Sequence, residues 1–185
     1  LDDFSITPMA KLACSNLVKY GNFEEGDARL YKILGEGTIS MHSPGFGGSS
    51  FAVMHSGRNH WDNGIRLEFD RECLFEGDEW LVTAQFKLID QTTNEPHSCN
   101  RTESIYSNEA CPMFIVWPKG EKVIVYPDLE DLPEDWVAAE YNKYQGKFRV
   151  TEKMANSPLA VSFYVAGPNR EGINVILDNL SVVPV

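Results

Sequence analysis

The side chains that most often carry out chemistry in proteins are present here, but their spacing gives no catalytic motif. The chain has four histidines: His42, His55, His60 and His97. They form neither HExxH nor another paired metal spacing, and no GxSxG elbow or P-loop occurs. Glycoside hydrolysis needs two carboxylates across a cleft, but among 27 acids some such pair is inevitable. We therefore expect that the protein is not an enzyme.

The four cysteines favour disulfides over a metal site. They are Cys14, Cys73, Cys99 and Cys111, and none belongs to a CxxC pair, so zinc is weakly supported. Four cysteines allow three pairings, and all three remain open at this point. The spacing of 12 between Cys99 and Cys111 suits a disulfide that closes a loop, which would leave Cys14 with Cys73.

Two glycosylation sequons add to the case for secretion. They are Asn100-Arg-Thr102 and Asn179-Leu-Ser181, and sequons are typical of surface loops in secreted proteins. The opening Leu1-Asp2-Asp3 shows no signal-peptide pattern, which fits either a cytosolic protein or a mature chain. Disulfide-forming cysteines are typical of oxidising compartments, so we expect a secreted, extracellular protein.

Length, composition and charge restrict the partners. The chain has 185 residues, of which 43% are apolar and 11% aromatic. This is enough for one folded domain spanning residues 1–185, and it argues against disorder. The net charge of −11 argues against nucleic acid and anionic membrane surfaces as partners. No apolar run approaches the length of a membrane span.

Period-two alternation dominates the chain. In residues 80–88, Trp80, Val82, Ala84 and Phe86 alternate with polar residues, as in a half-buried strand. Regular short strands with Gly, Pro and Asn turns between them predict an all-β, antiparallel β-sandwich. Residues 135–144 could be one short helix or an irregular segment. The predicted strands are 16–23, 37–41, 50–55, 65–69, 80–88, 113–117, 123–126, 147–150, 159–166 and 173–183.

The last predicted strand changes phase. Ile173, Val175 and Leu177 share one face, whereas Leu180 and its alternate neighbours are offset by one residue. The change falls at Asp178-Asn179. A β-bulge there would re-aim one acidic side chain, and the alternative is that the terminal strand simply leaves the sheet.

Several segments resemble carbohydrate-binding modules of the family 4, 9 and 22 type. Residues 16–26, NLVKYGNFEEG, are similar to the N-terminal signature of these families, and residues 161–168 with 177–182 are similar to the C-terminal one. Residues 58–65, RNHWDNGI, resemble their Arg-x-x-Trp-x-Gly stretch with one extra residue, and residues 77–87 resemble the strand that follows. The resemblance implies a jelly roll that binds a β-glucan or xylan-like polysaccharide, as one part of a larger multidomain protein.

The resemblance also implies a structural Ca²⁺. The matching carboxylates are Glu24 and Asp178, which would connect the two ends of the fold. Calcium takes six to eight oxygen ligands, so backbone carbonyls near Gly21 or Asn22 and around Ser49 are the expected partners. The alternative is that both acids are ordinary turn and surface residues of an acidic chain.

A sugar-binding surface is the second implied site. Trp61 matches the stacking tryptophan of the family, and Arg58 beside it could bind hydroxyls through its planar guanidinium. Tyr164 lies on the polar side of its strand, so we expect it to be displayed outside the core. Tyr106 and Tyr126 are further candidates.

Some features depart from the family pattern. Xylan-binding members often have an acid two residues after the tyrosine of this strand, where this chain has Ala166. The segment 90–112 and the acidic stretch 128–135 could reshape or cover the groove. We expect Trp80 and Trp136 to be structural, and leave Trp117 open. The alternative function is an extracellular adhesion or protein-binding domain on the same scaffold.

Overall fold

The chain folds into two antiparallel sheets. The computed structural model describes residues 14–68, 71–118, 122–131, 135–157 and 161–185. Ten strands lie in this part of the chain, five in each sheet. None of its helices is long and apolar enough to cross a membrane. The predicted all-β sandwich is confirmed.

The strands follow the predicted order closely. Their bounds are β1 (Lys32–Leu34), β2 (Thr38–His42), β3 (Ala52–Ser56), β4 (Gly64–Glu68), β5 (Glu79–Asp90), β6 (Met113–Trp117), β7 (Val123–Val125), β8 (Asn142–Arg149), β9 (Ser162–Ala166) and β10 (Ile173–Pro184). One short helix, α1 (Glu152–Ala155), joins β8 to β9. Residues 69, 159 and 160 of two predicted strands fall outside the described residues.

The two sheets enclose the main core. The first sheet has the order β1-β4-β9-β6-β7 and the second β2-β3-β10-β5-β8. The alternation of β5 follows the sequence, because the even-numbered residues from Trp80 to Phe86 are buried while the odd-numbered residues between them are partly exposed. In β6, residues 113–116 are all buried, which shows that this strand is covered on both faces.

The phase change in β10 is a bulge. The pairing between β10 and β5 shifts between Asp178 and Ser181, and then continues in register to Pro184. Asn179 adopts φ of 47°, a left-handed conformation that asparagine tolerates better than most residues. The strand therefore stays in the sheet, and the bulge directs the Asp178 side chain into a buried position, where it is 1% exposed.

Two local predictions are corrected. Residues 16–23 form bends and turns, not a strand, and Tyr20 and Phe23 both have positive φ. Of the two alternatives for residues 135–144, the irregular one is correct up to residue 141, and β8 begins at Asn142. The short β1 and α1 were not predicted.

Both disulfides are formed. Cys99 pairs with Cys111, which closes the loop suggested by their spacing, and Cys14 pairs with Cys73. The Cys14–Cys73 bond lies in the main core and ties the segment before β1 to the connection between β4 and β5. Such bonds stabilise a fold by restricting the unfolded chain.

One histidine is buried inside the sandwich. His55 of β3 is 1% exposed, and its Nε2–H donates to the carbonyl of Glu36 at 3.1 Å. A Cβ at Gly37, which has φ of 121°, would lie 2.4 Å from this nitrogen. Burial, with Arg58 nearby, lowers the pKa of His55 from 6.5 to about 4.

We expect the stability to fall as the pH drops from about 6.5 to about 4. In this window the unfolded chain binds a proton at residue 55 that the folded protein does not, so unfolding takes up a proton and acid favours it. Replacing His55 by Gln should remove up to about 3 kcal/mol of that pH dependence. The measurement is urea unfolding across the pH range, with His60→Gln, an exposed site, as control. Equal acid sensitivity of wild type and His55→Gln would contradict this account.

Candidate functional site

The outward face of the first sheet is apolar at its centre. Cross-strand pairing places Tyr164 of β9 between Arg66 of β4 and Ile115 of β6, and the row continues to Ile124 of β7. Directly paired residues project to the same side of a sheet. Tyr164 and Ile115 are both fully buried on this face, so other parts of the chain must cover it.

The long segment between β5 and β6 provides part of the cover. The Cys99–Cys111 disulfide closes it, and Ile105 within it is only 2% exposed. Ile105 belongs to the same apolar cluster as Ile115 and Tyr164. The segment therefore closes over one part of the sheet face, as the sequence suggested it could.

Trp61 and Tyr106 form an aromatic pair beside this cover. Their ring centroids are 4.9 Å apart and their planes are nearly perpendicular, at 84°. The carbonyl of Trp61 accepts the Gly167 N–H at 2.7 Å, and the carbonyl of Tyr106 accepts the Asn169 side-chain N–H at 3.1 Å. Both aromatic residues are thus anchored through their backbone to the segment after β9. Tyr106 is 59% exposed, and Trp61 is half-buried.

A lysine lies over two tryptophans on the same face. The ammonium of Lys122 lies 4.9 Å from the Trp61 ring centroid and 5.4 Å from that of Trp117, within the range of cation–π attraction. It also lies 3.5 Å from a carboxylate oxygen of Asp62. Asp62 in turn accepts a hydrogen bond from His60 Nδ1, so one carboxylate serves two cationic partners when His60 is protonated.

We use the name outer aromatic surface for Trp61, Tyr106, Trp117 and Lys122. The sequence alone assigns Trp117 neither to the core nor to a binding surface, and it does not indicate Lys122. The two-residue spacing of Met113, Ile115 and Trp117 could have placed Trp117 on the outward side of β6, where the structure has it. Nothing in the local sequence marks Lys122.

Arg58 supports this surface from below. Its Nε donates to the carbonyl of Asn63 at 2.8 Å and its Nη2 to the carbonyl of Trp61 at 3.4 Å. The residue is 3% exposed, and burial lowers its pKa to about 10. The prediction that Arg58 is displayed for ligand hydroxyls is therefore corrected, because this side chain fixes the backbone around Trp61.

Tyr164 is also buried instead of displayed. Its predicted side of the strand is correct, but it is 0% exposed because Ile105 and the neighbouring aromatic residues cover it. Its hydroxyl has no hydrogen-bond partner among the described residues. Burial raises its pKa, with smaller contributions from Asp62 and Tyr106.

The remaining aromatic candidates lie elsewhere. Tyr126 is 63% exposed and lines a different cavity, of about 400 Å³, together with Arg101 and Leu129. Trp80 is in the main core and Trp136 packs against it, so both are structural, as predicted. No ring contact joins Tyr126 to the outer aromatic surface among the described residues.

The predicted metal-binding carboxylates share one cavity. It has a volume of about 450 Å³, and its lining includes Asn22, Glu24, Ser49 and Asp178. Asp178 Oδ2 accepts the Phe46 N–H at 2.6 Å and the Ser49 hydroxyl at 2.7 Å. None of the described residues forms an ion pair with Asp178.

Glu24 is held at the open side of this cavity. Its carboxylate accepts the backbone N–H groups of Phe51 at 3.1 Å and Ser50 at 3.2 Å. These two hydrogen bonds lower its pKa, so the side chain is ionised at neutral pH. Gly21 lines the neighbouring cavity instead, and its carbonyl accepts the Leu180 N–H at 2.7 Å.

The donor set around this cavity has the chemistry that a hard cation needs. Two carboxylates, a hydroxyl and an amide are all oxygen donors, which suit Ca²⁺. The described residues contain no group of three or more His, Cys, Asp or Glu that could hold a metal. A calcium ion here would therefore depend on the carboxylates of Glu24 and Asp178 together with neutral oxygen atoms. Of the predicted ligands, only Gly21 lies outside the residues that line this cavity.

We expect Tyr164→Phe to leave the stability unchanged, within about 0.5 kcal/mol, or to raise it, because the buried hydroxyl has no described partner. Tyr144→Phe is the matched control, since the Tyr144 hydroxyl donates to the Val125 carbonyl, and its loss should cost about 1–3 kcal/mol. Denaturant unfolding measures both variants. A cost for Tyr164→Phe as large as for Tyr144→Phe would show that the Tyr164 hydroxyl is satisfied in solution.

Comparison with known proteins identifies the fold. The chain matches no protein-family model and none of the curated proteins. Solved structures are similar over nearly the whole chain. The CBM22-1 xylan-binding domain of Xyn10C from Paenibacillus barcinonensis has a TM-score of 0.61 at 15% identity, covering 92% of this chain and 94% of that domain.

Two further structures support the same conclusion. The C-terminal family 22 carbohydrate-binding module of Clostridium thermocellum Xyn10B has a TM-score of 0.59 at 13% identity, with 91% and 95% coverage. A family 16 carbohydrate-binding module has a TM-score of 0.56 at 14% identity, with 91% and 99% coverage. At these identities the similarity is one of fold, and the resemblance read from the sequence is confirmed at that level: the chain has the jelly-roll fold of carbohydrate-binding modules of the family 22 type.

Proposed function

We propose that this protein is a non-catalytic module that binds a β-glucan or xylan-like polysaccharide through the outer aromatic surface. The observation that supports this most is the pairing of Trp61 with the exposed ring of Tyr106, at 4.9 Å, on an outward sheet face. Aromatic rings offer flat apolar area with a polar edge, and the C–H faces of pyranose rings stack on such area. The fold, which is that of known polysaccharide-binding modules, supports the same function.

Preorganisation favours binding by this surface. The Trp61 carbonyl accepts hydrogen bonds from the Gly167 N–H and from the buried Arg58 side chain, and the Tyr106 carbonyl accepts one from the Asn169 side chain. These bonds fix the backbone of both residues, and the contact between the two rings restrains their side chains. Less conformational freedom is then lost when a sugar binds, which improves affinity. The rings are therefore suited to recognise an extended chain without rearrangement.

The hydroxyl-binding groups would differ from those of typical xylan binders. Ala166 stands where an acid is common, and it is fully buried. Exposed polar groups instead surround Trp61, namely the Asp62 carboxylate, the His60 imidazole and the Lys122 ammonium. These side chains can donate to and accept from sugar hydroxyls, and we assign them this role.

We infer that the protein acts outside the cell, as a module of a larger protein. Two disulfides suit an oxidising compartment. The acceptor residues of both sequons, Asn100 and Asn179, are exposed, as glycosylation at the surface would require.

We further propose a structural calcium ion in the cavity lined by Glu24 and Asp178. Asp178 is a buried carboxylate with neutral hydrogen-bond donors, and Glu24 contributes a second ionised group. The ion would supply charge neutralisation and would connect the N-terminal segment to the β10 bulge. Asn22 and Ser49 are its further oxygen donors.

Trp61→Ala is expected to weaken polysaccharide binding by about tenfold or more, and Tyr106→Ala by a smaller factor, because both remove stacking area from a central contact. Affinity electrophoresis with β-glucan, xylan, mannan and chitin measures this. Because Trp61 is half-buried, the more exposed Tyr106 provides the variant that leaves packing intact. Phe75→Ala removes another exposed ring, 43% accessible, and should bind as wild type.

Other outcomes would favour a different function. Retention by none of these polysaccharides, together with recovery of a protein partner in a pull-down, would favour the adhesion or protein-binding alternative. Release of reducing sugar from the same polysaccharides would indicate an enzyme. Equal losses in Tyr106→Ala and Phe75→Ala would show that the outer aromatic surface is not the binding site.

Calcium is expected to raise the melting temperature, and excess chelator to lower it, because a ligand that binds only the folded state stabilises it. Glu24→Gln should reduce this shift, and Asp178→Asn should abolish it. Glu25→Gln, an exposed acid beside the cavity, should keep the full shift. A wild-type melting temperature that is the same with calcium and with chelator would refute the site.

A further inference from the structure

Lys122 occupies an unusual place on the outer aromatic surface. Its ammonium lies against the rings of both Trp61 and Trp117, at 4.9 and 5.4 Å from their centroids. A neutral sugar stacking on Trp61 would have to share this space with a cation. A ligand that brings its own negative charge would use it.

The ammonium is only partly neutralised. Its one charged contact among the described residues is Asp62 Oδ2 at 3.5 Å, longer than a good charge-assisted hydrogen bond. Asp62 also accepts a hydrogen bond from His60. A lysine ammonium has three N–H donors, so donors remain for an incoming acceptor. Its side chain is 38% exposed, which leaves it accessible.

The local charge contrasts with that of the whole chain. The protein carries −11 overall, yet Lys122 lies at the centre of the proposed binding surface. A second cation, Arg66, pairs across the sheet with Tyr164 on the same outward face. Asp62 is the acid that pairs with Lys122 beside Trp61.

We infer that the ligand of this surface is an acidic polysaccharide whose uronic-acid carboxylate pairs with Lys122 while a neighbouring sugar ring stacks on Trp61 and Tyr106. This inference depends on the proposed function and names its substrate class. The carboxylate would compete with Asp62 for the ammonium, and Asp62 would keep its hydrogen bond to His60. The two indole rings lie against the ammonium and lower its exposure to water, which strengthens its attraction to a carboxylate.

The test compares one polysaccharide with and without its carboxylates. Native glucuronoxylan and the same material after chemical reduction of its uronic acids to neutral sugars are used as probes, in affinity electrophoresis and calorimetry. Wild type should bind the native form about tenfold more tightly, as one charge-assisted hydrogen bond provides. This preference should shrink as salt rises.

Three variants test whether Lys122 causes the preference for the native probe. Lys122→Gln should weaken binding of the native probe much more than binding of the reduced probe, so that the preference for the native probe is lost. Lys147→Gln, an exposed lysine on β8 of the other sheet, should keep the full preference. Trp61→Ala should weaken binding of both probes.

The outcomes separate this inference from the proposed function. Equal wild-type binding of native and reduced probes, or binding of a neutral β-glucan but not of native glucuronoxylan, would overturn the inference and leave the proposed function intact. Equal losses for both probes in Lys122→Gln would also overturn it, since the lysine would then only support the indole rings. No binding of either probe or of any neutral polysaccharide would overturn both.

Discussion

The fold depends on covering a sheet that is apolar on both faces. The inward face of the first sheet packs in the sandwich core, but its outward face carries Met113, Ile115 and Tyr164, all fully buried. Exposing such apolar side chains to water would destabilise the folded protein. The second sheet cannot cover it, so loops and aromatic side chains must, and the most accessible of these side chains form the proposed binding surface.

The need to bury this outward face explains why the loops that cover it are held by several bonds. The Cys99–Cys111 disulfide and two hydrogen bonds from Asn169 restrain the segment that places Ile105 on the outward face. The Trp61 carbonyl accepts hydrogen bonds from both Gly167 and the buried Arg58. Stability and recognition therefore share the same contacts, because the residues that close the apolar face also present rings to solvent. The cavity of Glu24 and Asp178 lies at the β10 bulge, where both carboxylates accept hydrogen bonds from residues 46–51.

Much of the fold could be predicted because its signals are local. The continuous apolar run Met113–Trp117 corresponds to β6 at both ends, and the phase change at Asp178 locates the bulge. Residues 16–23 misled us because their apolar side chains fit a strand, whereas turns with positive φ bury them equally well. The period-two alternation of β9 predicts that Tyr164 points outward. Its burial could not be predicted, because Ile105, which covers it, is far away in the sequence. Lys122 could not be predicted, since its role depends on which rings surround it.

The central claim is that the outer aromatic surface binds a polysaccharide, and the indole N–H resonances of the four tryptophans test it directly. In an NMR titration with soluble oligosaccharides of the bound polysaccharide, we expect the Trp61 and Trp117 signals to shift with ligand concentration. The signals of Trp80, in the core, and Trp136, packed against it, should stay in place. Shifts confined to Trp136, or to backbone signals of the second sheet with Trp61 unmoved, would contradict the account.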